Sequence, residues 1–99
     1  MRPCIHLDHE RIAVFCRRNH IRKLSFFGSV LRDDFGPDSD VDVLVEFEPG
    51  RTPGLAFFTM QEELSGMIGR KVDLHTAGFL SDLFRDEVLR EAEAQYVAA

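Results

Sequence analysis

Cysteine is scarce in this 99-residue chain, and its two cysteines, Cys4 and Cys16, have no CxxC spacing. No secretory hydrophobic segment precedes them, so we expect ordinary thiols in a reducing cytoplasm rather than a disulfide framework. The four histidines lack the spacing of zinc ligands. No apolar run reaches the length of a transmembrane helix. These absences argue against a disulfide scaffold, a zinc domain and a membrane protein.

Basic side chains are outnumbered, with 12 Lys and Arg against 17 Asp and Glu and a net charge of −5. There is no basic stripe and no aromatic-plus-arginine platform, so stable binding to DNA or RNA and template-directed polymerisation are not expected. The length predicts one domain, residues 1–99, which is too small to include a second domain for an acceptor substrate. We therefore expect the acceptor to come from another molecule.

The most informative pattern that is present places Gly28-Ser29 ten residues ahead of Asp40-x-Asp42. The segment that begins at Asp40 is rich in β-branched residues and predicts a strand whose side chains alternate between two faces. Asp40 and Asp42 then share one face roughly 6.5 to 7 Å apart, so their carboxylates can bind two ions about 3.5 to 4 Å apart. Mg²⁺ prefers oxygen ligands and is commonly completed by substrate phosphates. The pair predicts a site for two Mg²⁺ ions and a nucleoside triphosphate.

A predicted strand before this pair breaks at Gly28, and Ser29 begins a short helical turn. Free N–H groups at that turn would point at phosphate oxygens, and Gly28 would let the backbone approach them closely. Ser39, just before the first aspartate, is a further predicted nucleotide contact. Each piece has a plainer interpretation, because Gly-Ser is common in turns and the segment around Ser39 could be a solvated loop. The combined spacing favours the nucleotide site.

The motif Gly28-Ser29-x10-Asp40-x-Asp42 resembles the signature of the DNA polymerase β-like nucleotidyltransferase superfamily, and the length resembles its smallest branch, the minimal nucleotidyltransferases. In that superfamily the two motif aspartates bind metal, and a carboxylate on a later strand completes a triad. The segment from 71 to 75, Lys-Val-Asp-Leu-His, has the form of that strand. The resemblance therefore implies that Asp73 is the third metal ligand and general base; otherwise Asp73 is a surface residue of an edge strand.

The turn after the motif glycine departs from the family pattern at two positions. Minimal members often read Gly-Ser-x-Ala-Arg-Gly, whereas this chain has Leu31, Arg32 and Asp33 at the last three positions. The resemblance implies that Arg32 contacts phosphate or anchors the turn. Asp33 would repel a triphosphate if its side chain points inward.

The resemblance also implies a reaction and a partner. Minimal nucleotidyltransferases commonly occur as the antitoxin of a toxin–antitoxin pair beside a HEPN-type ribonuclease, and some transfer AMP to a tyrosine of that toxin. We expect ATP as substrate, two Mg²⁺ ions as cofactor and a HEPN-type toxin as partner, with a homo- or hetero-oligomer left open. Two alternatives remain: a catalytically silent antitoxin that acts by contact, and a small-molecule transferase of the aminoglycoside-modifying type.

Hydrophobic periodicity predicts an α/β (α+β) fold, a short mixed or antiparallel sheet backed by helices on one face. The resemblance implies that this is the palm-like fold of nucleotidyltransferases. Asp8 is expected to cap a first helix that ends near Asn19. A second helix is predicted from Leu55 to about Ile68, where Gly69 stops it. A third is predicted over residues 81 to about 98. The strand order is not readable from the sequence.

Overall fold

The computed structural model describes residues 8–31, 36, 39–51, 53–76 and 82–98. Its elements in chain order are α1 His9–Arg18, β1 Ile21–Phe27, a 3-10 helix Gly28–Leu31, β2 Val41–Phe47, α2 Ala56–Ile68, β3 Val72–Thr76, α3 Asp82–Glu91 and β4 Glu93–Val97. The strands form one sheet in the order β3-β2-β1-β4. β1 is antiparallel to both of its neighbours, whereas β2 and β3 are parallel. The predicted α/β fold with a mixed sheet is confirmed. None of the helices in the described ranges is long and apolar enough to cross a membrane.

The first helix begins, and the second helix ends, where the sequence predicts. The Asp8 carboxylate accepts hydrogen bonds from the backbone N–H groups of Glu10 and Arg11, at 3.1 and 3.2 Å, and so caps the first turn of α1. Such a cap typically contributes about 1 kcal/mol. At the end of α2, Gly69 adopts a left-handed φ of +77° that favours glycine, and its N–H donates to the Ser65 carbonyl.

One face of the sheet forms the main core. Val41, Val43 and Val45 alternate along β2 and are each 0% exposed, as the predicted alternation requires. The helix side chains that cover them come from α1 and α2 and are Ile12, Phe15, Cys16, Met60 and Leu64. This face supplies most of the apolar burial that stabilises the fold.

The same burial sets the chemistry of Cys16. Its thiol is 0% exposed, and burial raises its pKa to about 12, an effect that the neighbouring Arg17 guanidinium partly opposes. Cys16 is therefore a protonated thiol at neutral pH and behaves as a small apolar residue. Cys4 lies outside the described residues.

The opposite face of the sheet carries a smaller apolar cluster. Phe27 of β1 and Leu44 of β2 pack there with Val88 of α3. Because strand side chains alternate, these two residues point away from the main core. The expectation that helices cover only one face is therefore wrong. Leu44 is an apolar residue among the polar positions of β2, and it gives α3 a surface to pack on.

The C-terminal segment also differs from the sequence prediction. The helix predicted to reach about residue 98 ends at Glu91, and Glu93–Val97 forms β4 instead. This strand pairs with β1, where Leu24 lies opposite Tyr96, and Tyr96 packs against the main core. The residues before Tyr96 have good helix propensity, but hydrogen bonds to the open edge of β1 outweigh it. The predicted start of the helix lies outside the described residues.

The other edge of the sheet, β3, is covered by side chains of α2. The Ser65 hydroxyl oxygen accepts a hydrogen bond from the Val72 N–H at 3.0 Å, and the Gln61 side-chain oxygen accepts one from the Leu74 N–H at 2.9 Å. Ser65 in turn donates to the Gln61 carbonyl at 2.8 Å. The outward-facing N–H groups on both sides of Asp73 are therefore satisfied, and that segment of β3 is held in place.

Candidate active site

The two halves of the sequence motif meet where β1 ends. Gly28 has a φ of +76°, and a Cβ placed on it would lie 2.6 Å from the Asp42 Oδ2 atom. Phe27, one residue earlier, pairs directly with Asp42 across the sheet. A side chain at position 28 would therefore collide with the Asp42 carboxylate, and glycine also suits the left-handed backbone. The predicted strand break at Gly28 is confirmed, while its contact with nucleotide remains a prediction.

The three predicted aspartates come together at one end of neighbouring strands. Asp42 and Asp73 occupy directly paired positions of the parallel strands β2 and β3. Asp40 lies just before β2, which begins at Val41 rather than at the predicted Asp40. The boundary shifts because pairing starts at Val41, whose N–H donates to the Lys71 carbonyl at 2.8 Å. Lys71 directly precedes β3, and we call residues 70–76 the β3 segment.

The close approach of the three carboxylates affects the pKa of Asp73. Its pKa is raised above the ordinary value of 3.8, first by burial, then by the negative charges of Asp40 and Asp42. A hydrogen bond with the Asp40 side chain raises it further, whereas the Lys71 ammonium lowers it. The protonated form of Asp73 is thus favoured relative to an isolated aspartate. A cation between these carboxylates would relieve the repulsion.

Two basic side chains of the β3 segment face the carboxylates. Lys71 Nζ lies 3.8 Å from Asp40 Oδ2, but its side chain is 74% exposed and the pair contributes little to stability. His75 Nε2 lies 3.5 Å from Asp42 Oδ1. This nitrogen is buried and has no hydrogen-bond partner among the described residues, and the ring stands edge-on to Phe27 with centroids 5.3 Å apart. His75 shares a face of β3 with Asp73 because strand side chains alternate, and its position beside Asp42 depends on the β2–β3 register.

The remaining predicted nucleotide contacts are only partly described. The backbone of Ser29 lies in the 3-10 helix Gly28–Leu31, whereas its side chain is not among the described parts of the structure. Arg32 and Asp33 lie outside the described residues. The Ser39 hydroxyl oxygen accepts a hydrogen bond from the Gly36 N–H at 3.1 Å. Ser39 is therefore part of a local turn, and its contact with nucleotide stays a prediction.

Sequence reasoning missed Arg70. Its guanidinium donates hydrogen bonds to the carbonyl oxygens of Gly36 and Ser39, at 2.5 and 3.0 Å. These bonds join the segment before Asp40 to the segment before β3, which are distant in sequence. The one sequence signal for this role is the position of Arg70 three residues ahead of Asp73.

The donor set suits a hard divalent cation. Asp40, Asp42 and Asp73 offer carboxylate oxygens, which Mg²⁺ prefers, and their mutual repulsion is evident in the raised pKa of Asp73. Within the described ranges, no group of three or more His, Cys, Asp or Glu side chains is arranged so that it could hold a metal ion. The carboxylate chemistry suits Mg²⁺, but these side chains do not form a metal site by themselves, and the metal roles of the three aspartates remain predictions.

A groove elsewhere on the molecule is separate from this site. It has a volume of about 860 Å³ and lies between α1 and α2. Its lining includes Arg18 and Glu63, which form an ion pair, and none of the three aspartates. This groove is therefore not part of the aspartate site.

Comparison with known proteins assigns the class. Residues 9–95 match the nucleotidyltransferase domain family, so the chain belongs to that family. Within it, the chain is similar to the protein adenylyltransferase MntA of Thermococcus cleftensis, with 39% identity over 72 residues, 72% of this chain and 71% of that protein. The predicted resemblance to minimal nucleotidyltransferases is confirmed.

Solved structures give the same result. A structure described as a candidate minimal nucleotidyltransferase has a TM-score of 0.71 and 38% identity, and covers 85% of each chain. A toxin–antitoxin complex with AMP-PNP has a TM-score of 0.75 at 19% identity, covering 93% of this chain and 75% of that one. A complex of a tri-AMPylated Shewanella oneidensis HEPN toxin with MNT antitoxin has a TM-score of 0.66 at 18% identity. It covers 91% of this chain and 70% of that one. At such identities the last two show a shared fold.

Proposed function

We propose that this nucleotidyltransferase transfers AMP from ATP to a hydroxyl group of a partner protein, a tyrosine of a HEPN-type toxin, and thereby acts as the antitoxin. The observation that carries the proposal is the convergence of Asp40, Asp42 and Asp73 beside the side-chain-free position Gly28. The similarity to MntA supports protein as the acceptor. The fold shared with an antitoxin bound to an AMPylated HEPN toxin supports the partner.

The placement of the carboxylates supports the roles that we propose for them. Asp40, Asp42 and Asp73 would hold two Mg²⁺ ions together with the triphosphate. The positive charge of such ions would neutralise the phosphates and assist departure of pyrophosphate. Gly28 leaves room for the Asp42 carboxylate, and the N–H groups that follow it would donate to phosphate oxygens.

The acceptor side of the reaction would use Asp73. The acceptor hydroxyl oxygen attacks the α-phosphorus, the bond from that phosphorus to the β-phosphate oxygen breaks, and pyrophosphate leaves. The hydroxyl proton would pass to the Asp73 carboxylate, which is the proposed general base. AMP remains on the partner as a phosphodiester.

The test uses the chain together with the product of the neighbouring gene, which the proposal expects to be a HEPN-type toxin. Both are co-expressed, and intact mass spectrometry should show AMP-sized additions on the partner that are absent with an Asp40→Ala, Asp42→Ala double variant. Glu48→Ala, which removes an exposed carboxylate outside the site, is the matched control and should retain the additions. If the double variant still neutralises the toxin and neither chain is modified in the wild-type pair, the protein acts by contact and the proposed function is wrong.

A further inference from the structure

Arg70 links the two carboxylate-bearing segments of the site. Its half-buried guanidinium donates to the carbonyl oxygens of Gly36 and Ser39. These two residues are already joined by hydrogen bonds from the Ser39 N–H to the Gly36 carbonyl and from the Gly36 N–H to the Ser39 hydroxyl, each 3.1 Å. The arginine therefore holds a closed turn rather than a single carbonyl. Asp40 is the next residue after that turn.

The same arginine stands at the start of the segment that carries Asp73. One residue later, the Lys71 carbonyl accepts a hydrogen bond from the Val41 N–H at 2.8 Å. The backbone is thus tied to the β3 segment on both sides of Asp40, by Arg70 at Ser39 and by Lys71 at Val41. Since Asp40 lies outside β2, sheet pairing alone does not fix its carboxylate. The Arg70 bonds supply the missing restraint.

Arginine is chemically specific for this role. Both bonds come from one guanidinium nitrogen, Nη2, whose two N–H groups reach two carbonyl oxygens at once. A lysine keeps the charge, but its ammonium nitrogen lies on a flexible stem that ends one bond short of the Nη2 position, so it does not reproduce that geometry. Charge-assisted hydrogen bonds of this kind are stronger than neutral ones.

We propose that Arg70 is a positioning residue, which holds the Gly36–Ser39 turn so that the Asp40 carboxylate stays beside Asp73. The catalytic consequence rests on the proposed nucleotidyl transfer, whereas the structural part does not. A misplaced carboxylate at a reacting centre can reduce turnover roughly 10- to 100-fold. Arg70 touches no substrate in this scheme, so its loss should lower kcat more than it raises KM for ATP.

The structural part is tested by amide hydrogen exchange in Arg70→Lys. The Ser39 N–H should exchange roughly tenfold faster or more than in the wild type, because the turn loses its two charge-assisted bonds. The Leu24 N–H, in the centre of β1, should keep its protection. Arg22→Lys is the matched control, since Arg22 is 55% exposed and pairs with Glu46 on the surface. Unchanged exchange at Ser39, or equal acceleration at Ser39 and Leu24, overturns the proposal.

The catalytic part is tested by pyrophosphate release with Mg²⁺, ATP and the HEPN-type partner. Arg70→Lys should lower kcat roughly 10- to 100-fold with a smaller change in KM, while Arg22→Lys should match the wild type. In Arg70→Ala, added guanidinium chloride at non-denaturing concentration should restore part of kcat, and the same concentration of sodium chloride should not. A loss confined to KM, or no rescue, contradicts the positioning role. If the wild type itself releases no pyrophosphate, the proposed function fails while the exchange result still decides whether Arg70 holds the turn.

Discussion

The two faces of the sheet differ in the side chains that they carry: one is apolar, and the other holds carboxylates. On the face covered by α1 and α2, alternating valines of β2 are fully buried and the Cys16 thiol is kept protonated by burial. On the other face, Asp42 and Asp73 lie side by side and half-buried, and their repulsion opposes folding. The first face stabilises the molecule, and the second uses part of that stability to hold like charges together. A single strand, β2, supplies both because its side chains alternate.

The largest expected effect on stability belongs to the apolar face. Leu64 of α2 is 0% exposed, so Leu64→Ala should lower the free energy of unfolding by about 2–5 kcal/mol through lost burial and a cavity. Leu89→Ala is the matched control, because Leu89 is 46% exposed and should lose less than about 1 kcal/mol. Urea unfolding followed by circular dichroism measures both. Similar losses for the two variants would contradict the assignment of the main core.

An intermediate effect is expected where the two strands carrying the motif touch. Gly28→Ala introduces a Cβ that would lie 2.6 Å from Asp42 Oδ2 and also strains the left-handed backbone, so it should cost about 1–3 kcal/mol of stability. Its control is Gly50→Ala, where φ is also positive, at +75°, but nothing lies within 4 Å of the added Cβ. The control should show the backbone strain alone and retain AMP transfer.

The difference between these two glycine variants isolates the contact with Asp42. We expect Gly28→Ala to be less stable than Gly50→Ala in urea unfolding and to lose most pyrophosphate release, since the displaced carboxylate leaves its site. Equal stability and equal turnover in the two variants would show that position 28 tolerates a side chain. The close approach of Gly28 to Asp42 would then have no functional role.

The smallest expected effect lies on the carboxylate face and depends on pH. Because the folded pKa of Asp73 is raised above 3.8, the stability associated with its protonated form is complete below that value. This contribution to stability is lost as pH rises through the higher pKa that Asp73 has in the folded protein. Asp73→Asn removes this titration, so without metal the variant should gain stability relative to the wild type as pH rises through that window. It should be the more stable protein at pH 7.

Chemical denaturation at a series of pH values, with metal removed by a chelator, measures the difference. Asp86→Asn is the control, since it removes a carboxylate from an exposed position of α3. If the stability of Asp73→Asn relative to the wild type does not change with pH, or falls as pH rises, the three aspartates do not repel one another in the folded protein.

Several features of the fold and site were predictable because their causes are local. The Asp8 cap, the Gly69 stop and the break at Gly28 each depend on a few neighbouring residues, and each is found. The position of Asp73 beside Asp42 was expected from the resemblance, and the parallel register of β2 and β3 confirms that they are neighbours. The start of β2 was misjudged by one residue, since pairing begins where the Val41 N–H donates to the Lys71 carbonyl.

The amino-acid sequence by itself determined the alternation of β2, the spacing of Asp40 and Asp42, and the glycine that leaves Asp42 space. These depend on residue type and short spacing, which act before the chain is folded. Tertiary structure alone decided that Glu93–Val97 is a strand, that α3 packs on the carboxylate face through Val88, and that Arg70 holds the turn before Asp40. Each of those outcomes depends on hydrogen bonds or contacts between distant segments, and such contacts override local propensity only once the sheet has formed.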